Sequence, residues 1–147
     1  MKTLANILWH FPFLGFLDAL VALLVGLLLT VTIVAAPVGL GLIQYARFLL
    51  APFSHKMVDK ADIPVRSNLL WGAWSLLVRI LYFPIGLVAA VIVLFKIVGL
   101  CISIIGIPLA IILAKSLGTY FNPVGKVCVS DAFADEIAAR ADRRRFA

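Results

Sequence analysis

Four ionisable side chains lie inside or beside long apolar runs: Asp18, Arg79, Lys96 and Lys115. A charge in hydrocarbon is expensive, so such residues pair, reach for the membrane surface, or mark an ion or proton path. Two further sets share one spacing. In TVTIVAAPVG, Thr32 stands before Pro37, and in CISIIGIPLA, Ser103 stands before Pro108 at the same distance. A proline inside a helix removes one hydrogen bond and frees the carbonyl four residues back, here those of Ile33 and Ile104. A freed carbonyl beside a hydroxyl has two uses. It can help to line a pathway for ions or solutes, as the broken helices of transporters do, or it can be satisfied locally and leave a packing kink. Lys115 either snorkels to the headgroups or lines a vestibule. Arg79 either snorkels or faces a bundle interior, and a pair between Asp18 and Lys96 is geometrically open.

Other chemistry has no support in the residues. The chain has no G-x-S-x-G, no Gly-rich phosphate loop and no His/Glu metal spacing. Cys101 and Cys128 are far apart, as are His10 and His55, which suggests neither a disulfide nor a metal site. No enzyme activity, cofactor or metal is expected.

The elements that position these residues belong in a membrane. Hydrophobic residues make up 64% of the 147 and mean hydropathy is +1.14, well above the ~45–50% apolar content of soluble chains. Apolar runs of ~18 residues or more read as membrane helices. The run from Phe11 to Ala36 is too long for the core of a signal peptide. A net charge of +6 fits the basic cytoplasmic face of a membrane protein better than a nucleic-acid surface.

The chain reads as a tandem duplication. At an offset of 71 residues, Leu29/Leu100, Ile33/Ile104, Pro37/Pro108, Leu42/Leu113, Pro52/Pro123 and Val58/Val129 are identical. Upstream, Asn6-Ile-Leu-Trp9 echoes Asn68-Leu-Leu-Trp71, and Phe11-Pro12 echoes Phe83-Pro84. The expected organisation is a first repeat over 1–58, a polar cytoplasmic linker over 59–67, a second repeat over 68–129 and a charged tail over 130–147.

Each repeat is too long for one span at about 1.5 Å per residue. One arrangement makes each repeat a helical hairpin; the other makes each a single span, with the two inverted. The hairpins keep nearly all Lys and Arg on one side, as the positive-inside rule asks. The expected fold is therefore an all-α polytopic membrane protein. Its two tandem hairpins would span 5–23, 26–50, 72–95 and 98–121, with turns near Leu24–Gly26 and Phe95–Gly99. Each returning helix would be kinked by its proline, Lys96 would lie at the second turn, and both termini would be cytoplasmic. In the tail, Ser130 is a candidate N-cap, with acids early and arginines late, which suits a helix dipole. Phe133, Ile137 and Ala141 form a thin apolar stripe, and the basic end is placed to meet anionic lipid.

The stretch CISIIGIPLA, Lys115 beyond it, Asn-Pro-Val-Gly at 122–125, the paired Asn-x-x-Trp openings and Arg-Arg-Arg-Phe at 143–146 together resemble the YccF family of bacterial inner membrane proteins. The resemblance implies a multi-pass protein of the bacterial inner membrane and carries over no catalytic or binding residue. Two functions follow as expectations. One is a homo-oligomeric channel or transport component with Thr32, Pro37, Ser103 and Pro108 along its pathway. The other is a non-conducting accessory or scaffold protein packed against a larger transporter or envelope protein. Expected partners are the bilayer, anionic lipid at the tail and further copies of the chain, and no nucleic acid.

Overall fold

The computed structural model describes residues 2–13, 15–63 and 68–146. The order is α1 (Lys2–Phe13), α2 (Gly15–Val31), α3 (Ala36–Leu50), β1 (His55–Asp59), α4 (Leu69–Ile102), α5 (Ile107–Phe121), β2 (Lys126–Ser130) and α6 (Asp131–Phe146). Single 3-10 turns occupy Lys60–Asp62 and Ile104–Gly106. Among the described residues, α4 and the run Ile104–Phe121 are long and apolar enough to cross a membrane. A third candidate exists if α1 and α2, bent by 79° between Lys2–Phe11 and Gly15–Val31, count as one span. Arg66 lies outside the described residues.

Helix α2 packs back along α3, and α4 along α5. The chain does not turn at Leu24–Gly26 and Phe95–Gly99, however. It turns after Val31 and after Ile102, so both prolines change role. Pro37 and Pro108 stand in the first turns of α3 and α5 rather than at kinks within them. A first-turn residue has no intrahelical acceptor for its N–H, so proline loses nothing there and its fixed φ suits the helix. The returning helices are consequently only 15 residues each, about 22 Å long. Lys96 is not at a turn but within α4, which runs for 34 residues.

The fold is not purely helical. β1 and β2 form an antiparallel ribbon in the register His55↔Ser130, Lys56↔Val129, Met57↔Cys128, Val58↔Val127 and Asp59↔Lys126. Its central pair, Met57 and Cys128, are 71 residues apart, the offset at which the identities in the sequence recur. Both pack on a core of Trp9, Ala19, Tyr45, Phe48, Leu49 and Ile112, so α3 and α5 meet beneath one face of the ribbon. The two helices run past each other in opposite directions. Gly41 abuts the Pro123 carbonyl, the Tyr45 and Tyr120 hydroxyls are 2.8 Å apart, and Lys115 Nζ reaches the Pro52 carbonyl at 3.1 Å. Advancing along the first half thus retreats along the second.

A second cluster, Val38, Val78 and Val124, with Leu29, Leu42 and Tyr82 around it, joins the first half of α4 to α2 and α3. The rest of α4 is open. Val78, Gly86 and Val93 are its only buried residues, one every two turns along one side. At Gly86 the backbone of α4 lies against the Phe121 carbonyl, an approach that a Cβ would block.

Candidate functional site

Polar chemistry concentrates around the ribbon. Asp59, the last residue of β1, accepts hydrogen bonds from Arg79 of α4 at 3.1 Å and from Lys126 of β2 at 2.9 Å. One carboxylate thereby ties three elements, with two cations on it. The backbone carbonyl of Arg79 accepts from the Asn122 amide at 3.4 Å, and Asn122 Oδ1 accepts from the Val124 N–H at 3.0 Å. Arg79 is therefore a strut between α4 and the ribbon. Lys115 is similarly committed: besides Pro52 it sits 6.0 Å from the centre of the Phe53 ring, and so links α5 to the end of the first half.

The first Asn-x-x-Trp motif has a defined task. Helix α3 ends with unpaired carbonyls, as every helix does. Trp9 Nε1 donates to the Leu49 carbonyl at 2.9 Å, and the His10 ring lies 2.8 Å from the Leu50 carbonyl through Nε2. Asn6 accepts from the Phe53 N–H and donates to Ser54 Oγ, both at 3.1 Å. Residues one helical turn apart on α1 thus close the end of α3. The second motif is used differently. Trp71 is partly exposed in a cavity, and the Asn68 carbonyl takes the Gly72 N–H at the start of α4.

Two cavities flank α3. The larger, about 540 Å³, is bounded by Leu40, Gln44, Lys60, Trp71, Ser75 and Lys126. The smaller, about 320 Å³, is bounded by Trp9, Asp18, Leu42, Tyr45, Ile112 and Tyr120. Asp18 is the one acid of α2 and lies on this second cavity. Among the described residues no ion pair joins Asp18 to Lys96. Thr32 and Ser103 sit at the two turns. The Thr32 hydroxyl donates to the Leu29 carbonyl in the last turn of α2 at 2.6 Å. The structure therefore brings Arg79 and Lys115 to the ribbon, leaves Asp18 at a cavity and Lys96 on the open face of α4, and puts Thr32, Pro37, Ser103 and Pro108 at the far ends of the helix pairs.

Sequence reasoning gave no role at the site to Asp59, Gln44 or Asn6. Gln44 Oε1 accepts from the Cys128 N–H at 3.3 Å, which binds β2 to α3. Burial pushes the Cys128 thiol up to about 11, with Arg47 acting weakly the other way. At α6, Ser130 Oγ accepts from the Phe133 N–H at 3.4 Å, as expected of an N-cap. Phe133, Ile137 and Ala141 turn toward Ala61 and Ile63. Asp131 is bonded to Lys2 at 2.7 Å. Burial would raise its carboxyl, but Lys2, with Lys115 and Lys56 nearby, outweighs this and holds it below the usual carboxylate range.

Apolar helices with broad exposed aliphatic faces, joined to a charged ribbon, define an α-helical membrane protein. Residues 4–55 match the YccF model, the inner membrane component domain. The matched stretch runs from α1 to the start of β1. No match is found among curated proteins or solved structures.

Proposed function

We propose that the protein is a non-conducting scaffold of the inner membrane. Its helix pairs anchor it, and its ribbon and α6 form a cytoplasmic platform for a larger membrane assembly. The observation that carries this reading is the position of the pathway candidates. Thr32, Pro37, Ser103 and Pro108 lie at turns that begin returning helices of about 22 Å, shorter than the ~30 Å hydrocarbon core. A helix of that length that starts at its proline is a poor liner for a transbilayer path. The open sides of α4 are suited instead to contact with lipid or a neighbouring helix.

A transport role has one observation in its favour. Asp18 is an ionisable residue among apolar helices, facing a cavity shared with Tyr45 and Tyr120, and such residues are functional candidates by default. One experiment separates the two. Purified protein in liposomes is assayed for cation, anion and proton flux beside an Asp18→Asn variant. The scaffold reading expects no flux above empty liposomes from either protein. Flux that scales with protein and changes in Asp18→Asn would replace it with the transport reading. In-cell crosslinking from the exposed face of α4 then identifies the neighbour.

A further inference from the structure

We infer that both hairpin tips end inside the bilayer, in hydrocarbon, and do not emerge on the far side. This rests on the membrane assignment and on the scaffold reading above, since a transport path needs helices that cross. The tips carry no charge: none occurs from Ala19 to Gln44 or from Ile97 to Ala114. Their side chains point outward. Val31 is 79% exposed and Ile33 76%, while Ile102 and Ile104 are each 85% exposed. A turn facing water would spend such positions on Gly, Asn, Asp or Ser.

Several backbone N–H groups of the tips find partners within the tips. At the first, Thr32 N–H bonds to Leu29, Ile33 N–H to Thr30, Ala36 N–H to Ile33 and Gly39 N–H to Ala35. The hydroxyls of Thr30 and Thr32 donate back to Gly26 and Leu29, and Pro37 has no N–H to satisfy. At the second, Ser103 N–H bonds to Leu100, Gly106 N–H to Ser103 and Ile107 N–H to Ile104. Irregular backbone survives in hydrocarbon only when its groups are satisfied without water. Ile33 adds an independent sign. Its φ is +58°, a conformation left to Gly or Asn in most turns and unusual for a β-branched residue. An isoleucine held there, with its side chain outward, reflects a site that requires an apolar group more than an easy backbone.

Length limits the depth. Each returning helix has 15 residues, about 22 Å, which is less than the ~30 Å hydrocarbon core.

The test uses full-length protein in liposomes, in a Cys101→Ser/Cys128→Ser background, with a single cysteine at Ile33→Cys or Ile104→Cys. Lys60→Cys, on the exposed turn after β1, is the water-facing control. Orientation in liposomes is mixed. A tip in water on either side therefore reacts with a membrane-impermeant maleimide, partly before lysis and fully after it, as Lys60→Cys does. We expect no reaction at 33 or 104 in either condition. An environment-sensitive fluorophore attached there in detergent before reconstitution should then be quenched by lipids carrying nitroxides on their acyl chains. Labelling at the Lys60→Cys level overturns the inference. So does the absence of both labelling and quenching, which would place the tips against protein, a second copy included, rather than lipid.

Discussion

Two glycines of α4 should respond oppositely to the same substitution. At Gly86 an added Cβ would collide with the Phe121 carbonyl, while at Gly99 it would meet nothing within 4 Å. Alanine in place of a helix-interior glycine gains roughly 0.5–1 kcal/mol through backbone entropy, and Gly99→Ala should show that gain. At Gly86 the obstacle is backbone, not the end of a flexible side chain, so α4 and the exit of α5 must separate. Overpacking of this kind costs about 1–3 kcal/mol, leaving Gly86→Ala below wild type by roughly 0.5–2 kcal/mol after the helix gain. The helix gain is common to both, so the two variants should differ by the overpacking cost, roughly 1–3 kcal/mol overall. Chemical denaturation in one detergent, followed by tryptophan fluorescence, measures both. Equal tolerance at the two positions would refute the close approach of α4 to Phe121, and with it the seating of the second helix pair.

Four other outcomes are expected. Asp59→Asn should lower stability by about 1–2 kcal/mol, since charge-assisted bonds are worth ~1.5–3 kcal/mol and partial exposure screens these; combining it with Lys126→Met in a double-mutant cycle isolates the pair. Asp131 is held below its unfolded pKa, so its contribution is complete above about pH 4 and is lost as pH falls through the folded value; an acid titration of stability should show this loss, and Lys2→Met should diminish it. With a pKa of about 11, Cys128 is about 10⁻⁴ thiolate at pH 7, so maleimide should modify it far more slowly than a free cysteine peptide, as intact mass shows. Ile33→Asn relieves the left-handed backbone but sets an amide at the tip: melting in bilayers should fall if the tip is in hydrocarbon, and a rise would contradict that placement.

Much of this architecture was legible in the residues, for reasons that also explain the errors. Apolar run length gave the membrane class, and Ser130 announced α6 because a capping hydroxyl acts within one turn. The prolines were misplaced because a proline in a continuous apolar run looks the same whether it bends a helix or begins one. Ile33 carries no turn signal, so the first turn was invisible. Lys-Val-Cys-Val-Ser at 126–130 is a strand only because a partner 71 residues earlier lies beside it, and no local pattern encodes that. Asn6 and Trp9 stood out as markers of repetition, but their bonds to the end of α3 depend on the bend after α1. Asp59 is an unremarkable acid in a polar segment until the fold supplies Arg79 and Lys126.

The ribbon register has a consequence for synthesis. Met57 pairs with Cys128, so β1 leaves the ribosome long before its partner strand exists. Until α4 and α5 have followed, β1 is an open edge, and an open edge is a template for any other extended chain. Closing the ribbon is thus a late event that waits on both apolar helices between the strands.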